Sequence, residues 1–285
     1  MSAAGIRAPR LSPDGRQILY SLTRARENQV LVVDLAGGGT RIAITGQSFW
    51  AMWSHDGRRI IYQEPSGKDG AYGLAWKLHD GSTTGERLTE SRGWQQPQAV
   101  TRDGRFLVYQ ETGGLGAKGP FDQTFDLWLL PLSPRGAPRP LLRTPASEKL
   151  PHLSPDERWM AYVSDETGQD EVWVRAFPDG QTAIRVSDGG GTEPLWAPGG
   201  RTLYYRDPSG TRLFAVPATT GAPPQFGAPS VTSGYWVEGS PYGRMYDASP
   251  DGALLMLTAP AYGRELRLVL NFDEVIRRKM AEGKR

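Results

Sequence analysis

The ten residues LSPDGRQILY, at positions 11–20, decide how this chain is read, because the same phrase returns five more times. It reappears as WSHDGRRIIY at 53–62, VTRDGRFLVY at 100–109, LSPDERWMAY at 153–162, WAPGGRTLYY at 196–205 and ASPDGALLML at 248–257. The starts lie 42, 47, 53, 43 and 52 residues apart, which suits a propeller blade of four strands at roughly 40–50 residues per repeat. An Asp-Gly pair between two apolar runs marks a hairpin, since Gly takes positive φ freely and Asp bonds its own backbone. Asp14-Gly15, Asp56-Gly57, Asp103-Gly104 and Asp251-Gly252 keep the pair, while Asp156-Glu157 and Gly199-Gly200 each differ by one residue. One ligand would not require the same pair in every blade, so the repeated Asp is read as structural.

Each phrase ends in a run that is apolar on both faces, such as Ile18 to Tyr20 or Phe106 to Tyr109, as expected where sheets are covered on both sides. Third strands follow at 30–35, 73–78, 125–132, 171–177, 213–217 and 265–271, and fourth strands at 41–45, 86–89, 140–144, 183–187 and, less regularly, 225–232. The sixth unit has no fourth strand of its own. Its sequence changes instead to a helical pattern, with Asn271 as N-cap, Glu274 at the third helical position, and Phe272, Val275, Ile276 and Met280 on one side. The expectation is a single all-β domain over 1–285, with blades beginning near residues 8, 50, 96, 149, 192 and 244 and a C-terminal helical tail at 272–285.

Composition agrees and excludes several functions. Gly 35 and Pro 23 are spread along the 285 residues, which favours short strands and tight turns. The net charge of +2 is accounted for by the last fifteen residues, so the body is neutral and has no clustered Lys and Arg for nucleic acid or anionic lipid. Without Cys there are no disulfides, thiolate metal sites or cysteine nucleophile. No signal-peptide pattern and no membrane span is present, so the chain as written is expected in the cytoplasm, or outside it if it is a fragment of a membrane-anchored protein.

With its six phrases, the strands LWLLPL (127–132) and EVWVRAFP (171–178) and the ending LRLVLNFDEVIRR (266–278), the chain resembles the TolB-like six-bladed β-propellers, which are themselves similar to WD-repeat propellers. Within that family it is most similar to the propellers at the C-terminus of bacterial membrane-anchored serine/threonine kinases. The likeness covers about residues 8 to 278. It implies a fold and leaves function open, since propellers of this type include the protein-binding periplasmic Tol-Pal component, gating domains of prolyl-oligopeptidase-like enzymes and some sugar-acid lyases. Neither a Gly-rich nucleotide loop with its lysine nor an H-R-D phrase is present, so kinase activity is not carried over.

Gly114 to Gly119 fits G-x-G-x-x-G, but Pro120 and a strand follow where a helix is required, so it is read as a hairpin loop. No G-x-S-x-G elbow exists. His55 and His79 sit in turns; His152 precedes Leu153 on an innermost strand and is placed to face the channel. One channel histidine is too few for a lyase-type metal site, and no cofactor or metal is expected. Trp53, Trp76, Trp128, Trp159, Trp173 and Trp196 occupy repeat positions and are assigned to packing between blades. Phe49, Trp50, Trp94, Tyr235, Trp236 and Tyr242 instead lie in segments leading into innermost strands, which gather around one mouth of the channel. Among them fall Gln95, Gln96, Glu148, Lys149, Glu193 and Arg244. Such a mixed surface suits a protein or peptide partner or a small polar ligand; sealing the channel mouth is the other role open to it. The expected function is therefore a non-catalytic interaction or ligand-sensing propeller, with a channel enzyme of the lyase or lactonase kind as the alternative.

Overall fold

The computed structural model describes residues 5–24, 27–46, 48–66, 70–114, 118, 122–219, 221–233, 240, 242–258 and 265–269. These residues form antiparallel sheets whose strands follow chain order, five of four strands and one of three. The six phrases lead to an expectation of six blades; the described residues make five complete ones. The sixth phrase makes a sheet of Tyr246–Ala248, Leu254–Thr258 and Glu265–Val269, with no fourth strand among the described residues. The expected C-terminal helix, at 272–285, lies outside them.

The inner strands are Gly5–Leu11, Phe49–Trp53, Gln95–Val100, Glu148–Leu153, Thr192–Trp196 and Tyr246–Ala248. Each ends on the first residue of a repeated phrase. The turn that follows is built alike in five sheets, as at Ser12, whose hydroxyl donates to Asp14 Oδ1 (2.6 Å) and accepts from the Gln17 N–H, while Asp14 Oδ1 also accepts from the Arg16 N–H. Ser54 with Asp56, Thr101 with Asp103, Ser154 with Asp156 and Ser249 with Asp251 repeat the bond. The structural reading of the repeated Asp rests on these bonds. In blade 5 the corresponding residues are Ala197 and Gly199, and neither side chain can make it.

Apolar clusters lie between sheets. Leu19, Val30 and Val32 of blade 1 pack on Trp53, Ile60 and Tyr62 of blade 2, and equivalent clusters join blades 2 to 3, 3 to 4 and 4 to 5. Leu195, Tyr204 and Leu213 of blade 5 meet Tyr246, Leu254 and Met256 of the sixth sheet. Leu255 of that sheet in turn packs on Leu11 and Ile18. The ring is therefore continuous. Trp53, Trp76, Trp128, Trp159, Trp173 and Trp196 all belong to these clusters, since flat, large side chains fill the wedge between twisted sheets.

Five inner strands carry a bulge or register shift: that of Gln95–Val100 skips Gln98, and the other four share one form. Pairing with the second strand shifts between Arg7 and Arg10, Phe49 and Met52, Lys149 and His152, and Thr192 and Leu195. Inside each of these four one non-glycine residue adopts positive φ: Ala8 (47°), Trp50 (46°), Leu150 (54°) and Glu193 (52°). Such conformations cost on the order of 1–3 kcal/mol each, and a bulge re-aims the side chains beside it. Two residues after each left-handed position stand Arg10, Met52, His152 and Leu195, all of which line the central channel.

Candidate functional site: the central channel

Every inner strand contributes a side chain to a channel cavity of about 450 Å³: Arg10, Met52, Gln98, His152, Leu195 and Asp247. The cavity reaches the face formed by the turns after these strands, at Ser12, Ser54, Ser154, Pro198 and Pro250. At its other end lies a packed aromatic cap. Tyr242, which leads into the sixth sheet, crosses to blades 2 and 3 and sets its ring 5.8 Å from Trp50, 6.0 Å from Trp94 and 5.9 Å from Phe125, centroid to centroid. Tyr72 joins Trp94 to Phe49 at 6.4 and 5.9 Å. Gln98 Nε2 donates to the Tyr242 carbonyl at 3.2 Å, and Arg10 to the Arg244 carbonyl at 2.9 Å.

Glu193 anchors the cap from blade 5. Its carboxylate accepts from the Met245 and Ser240 N–H groups at 2.8 and 3.4 Å and pairs with Arg206 at 2.7 Å, both side chains being 0% exposed. The Tyr246 hydroxyl donates to the Glu193 carbonyl. Burial pushes the Glu193 carboxyl up and Arg206 pulls it back. This is a scaffold role.

The other expected residues divide in the same way. Phe49, Trp50, Trp94 and Tyr242 come together in the cap, while Tyr235 and Trp236 lie outside the described residues. Gln95 accepts from the Thr89 hydroxyl, and Gln96 Oε1 accepts from Gln110 at 3.0 Å. Lys149 pairs with Asp170 at 2.8 Å. Glu148 accepts from the Thr144 hydroxyl, and burial pushes its carboxyl up to about 7. Of the residues expected to bind a ligand, His152 and Arg244 line the cavity; His55, expected as a turn residue, and Trp53 and Trp196, assigned to packing, line it too. Arg10, Gln98 and Asp247 join them there and were not singled out.

His152 Nδ1 accepts from the Trp196 N–H at 3.0 Å, so the neutral ring carries its proton on Nε2. Burial, then the Arg244 and Arg10 guanidiniums, hold it well below the usual imidazole range. Asp247 Oδ2 accepts from the Leu11 N–H at 2.9 Å. Among the described residues no group of three or more His, Cys, Asp or Glu side chains is placed to hold a metal ion, and no helix is long and apolar enough to cross a membrane.

Solved structures with the same architecture include TolB from Acinetobacter baumannii, with TM-score 0.61 and 17% identity over 81% of this chain and 55% of that one. This chain has a TolB-like β-propeller fold. A putative TolB from Agrobacterium tumefaciens matches with TM-score 0.65 and 20% identity, over 93% of this chain and 90% of the other. Oligogalacturonate lyase from Vibrio parahaemolyticus matches with TM-score 0.63 and 12% identity, over 92% and 90%. The chain spans little more than half the length of the Acinetobacter protein. No family profile and no curated protein matches the sequence. At these identities the likeness is one of fold, and a TolB-like propeller and a lyase share it equally.

Proposed function

We propose that this chain is a non-catalytic propeller that binds a small ligand in its channel, admitted from the face where the inner strands end. The observation that carries the reading is the seating of Tyr242 on Trp50 and Trp94 at the opposite end, which we read as closing the channel there into a one-ended pocket. A volume of about 450 Å³ falls within the range of small-molecule sites, and its wall mixes Met52, Trp53, Leu195 and Trp196 with a few polar groups. The strained bulges beneath it support the same reading, since backbone strain concentrates where side chains must be aimed.

Binding is favoured over lyase or lactonase chemistry by the state of the candidate base. His152, on an inner strand of the channel, has its one acceptor nitrogen committed to the Trp196 N–H. Association with a serine/threonine kinase rests on the sequence resemblance alone. Soaking crystals of the protein with a set of small aromatic and polar fragments tests the proposal. Fragment density inside the channel is expected; density only on the outer rim or at the Tyr242 cap contradicts it. Turnover of a lactone or uronate by the wild type that is lost in His152→Ala would make the protein an enzyme.

A further inference from the structure

The deep end of the channel holds two guanidiniums and too little negative charge to match them. Among the described residues Arg10 NH1 donates to two carbonyls, those of Pro9 at 2.8 Å and Arg244 at 2.9 Å. Burial, and next the Arg244 charge, push Arg10 down to about 9. Arg244 is 3% exposed, and its Nε and NH1 are buried with no hydrogen-bond partner among the described residues. Asp247 and Glu193 attract Arg10 electrostatically, yet among the described residues neither hydrogen-bonds to Arg10 or Arg244: Asp247 accepts from the Leu11 N–H and Glu193 pairs with Arg206, while Glu157 accepts from the Arg102 N–H at the rim. Gln98 Oε1 is also buried without a hydrogen-bond partner among the described residues.

A buried guanidinium left without its hydrogen bonds is strongly unfavourable, and a planar fork of donors fits a carboxylate or phosphate better than any other group. The neutral His152, with Nδ1 occupied by Trp196, adds an Nε2–H donor on the same wall. Met52 and Leu195, at the strand position of Arg10 and His152, and Trp53 and Trp196 beside them make the rest of the wall apolar. We propose that the pocket takes a small organic anion, its carboxylate or phosphate received by Arg244 and Arg10 and its apolar body lying between Met52, Trp53, Leu195 and Trp196. This rests on the channel being the ligand site and names the chemistry of what enters it.

Calorimetric titration of the full chain with benzoate, phenyl phosphate and the neutral benzamide tests it. At least one anion should bind at one site per chain, at least tenfold tighter than benzamide; which one shows whether the site is built for carboxylate or phosphate. Arg244→Met, similar in volume and uncharged, should lose at least tenfold in anion affinity and should raise the melting temperature of the free protein. Arg10→Gln should also lose tenfold, and decides the matter if the first variant does not fold. Anion binding unchanged in both variants overturns the proposal. So does benzamide binding as tightly as the anions, which leaves the pocket itself standing. If none of the three binds, the anion assignment fails, and the fragment-soaked crystals decide separately whether the channel is a site.

Discussion

Tyr242 and Trp50 meet with ring centroids 5.8 Å apart, although one leads into the sixth sheet and the other sits in the inner strand of blade 2. Between them there is no spare room. A Cβ on Gly243 would lie 2.6 Å from Trp50 Cε3, inside any acceptable contact. Gly243→Ala should therefore lift Tyr242 off its seat and cost about 1–3 kcal/mol, as overpacking of a filled site does. Urea unfolding measures the loss, and an unchanged midpoint would show that the cap is not tightly packed.

The Glu193–Arg206 pair holds the same segment from the other side. Arg206→Ala would leave the Glu193 carboxylate buried without its partner, and breaking such a pair by removing one member costs about 3–5 kcal/mol. Denaturation of this variant should show a large fall in midpoint with little change in slope. A loss below about 1 kcal/mol would mean that the pair behaves as an exposed one.

Much of this fold is legible because each phrase carries its own chemistry: the Ser-Pro-Asp-Gly run sets a turn, and what precedes it must be an inner strand. Part of the site is legible by the same logic. Arg10, His152 and Asp247 each stand one place before a phrase, and polar residues at a position held elsewhere by Met52, Ala99 and Leu195 mark the channel wall. The cap is not readable in this way. That Tyr242 reaches blades 2 and 3 depends on the path of its segment across the ring, and no local pattern encodes that path. Gln95, Gln96, Glu148 and Glu193 look like ligand-binding residues in sequence because they are polar and stand near a mouth; in the structure they hydrogen-bond or pair within the scaffold.

Blade 5 lacks the side-chain bond that the other turns share, and restoring it should stabilise the ring. A Cβ on Gly199 meets nothing within 4 Å, and the left-handed position of the turn belongs to Gly200 at φ +67°. The double variant Ala197→Ser with Gly199→Asp should therefore gain about 1 kcal/mol, the typical net worth of such a bond. Thermal unfolding checks this. A lower melting temperature would show that the turn's geometry does not accept the pair.

Glu148 gives a pH dependence of defined sign. Its carboxyl is raised from 4.5 to about 7 by burial, so the folded state holds its proton while the unfolded chain gives it up. The stability it contributes is present below about pH 4.5 and is lost as pH rises through about 7. Melting temperatures of the wild type and Glu148→Gln, taken from pH 4 to 8, should diverge in favour of the variant as pH rises. Parallel curves would place Glu148 in contact with water.

The claim that the channel is a one-ended ligand pocket is tested most directly by the indole N–H resonances of ¹⁵N-tryptophan-labelled protein during titration with phenyl phosphate. Trp53 and Trp196 line the cavity, whereas Trp94 belongs to the cap at the closed end. The account predicts that the Trp53 and Trp196 signals move together along one saturating curve while Trp94 stays in place. Movement of Trp94, with Trp53 and Trp196 unchanged, would contradict it.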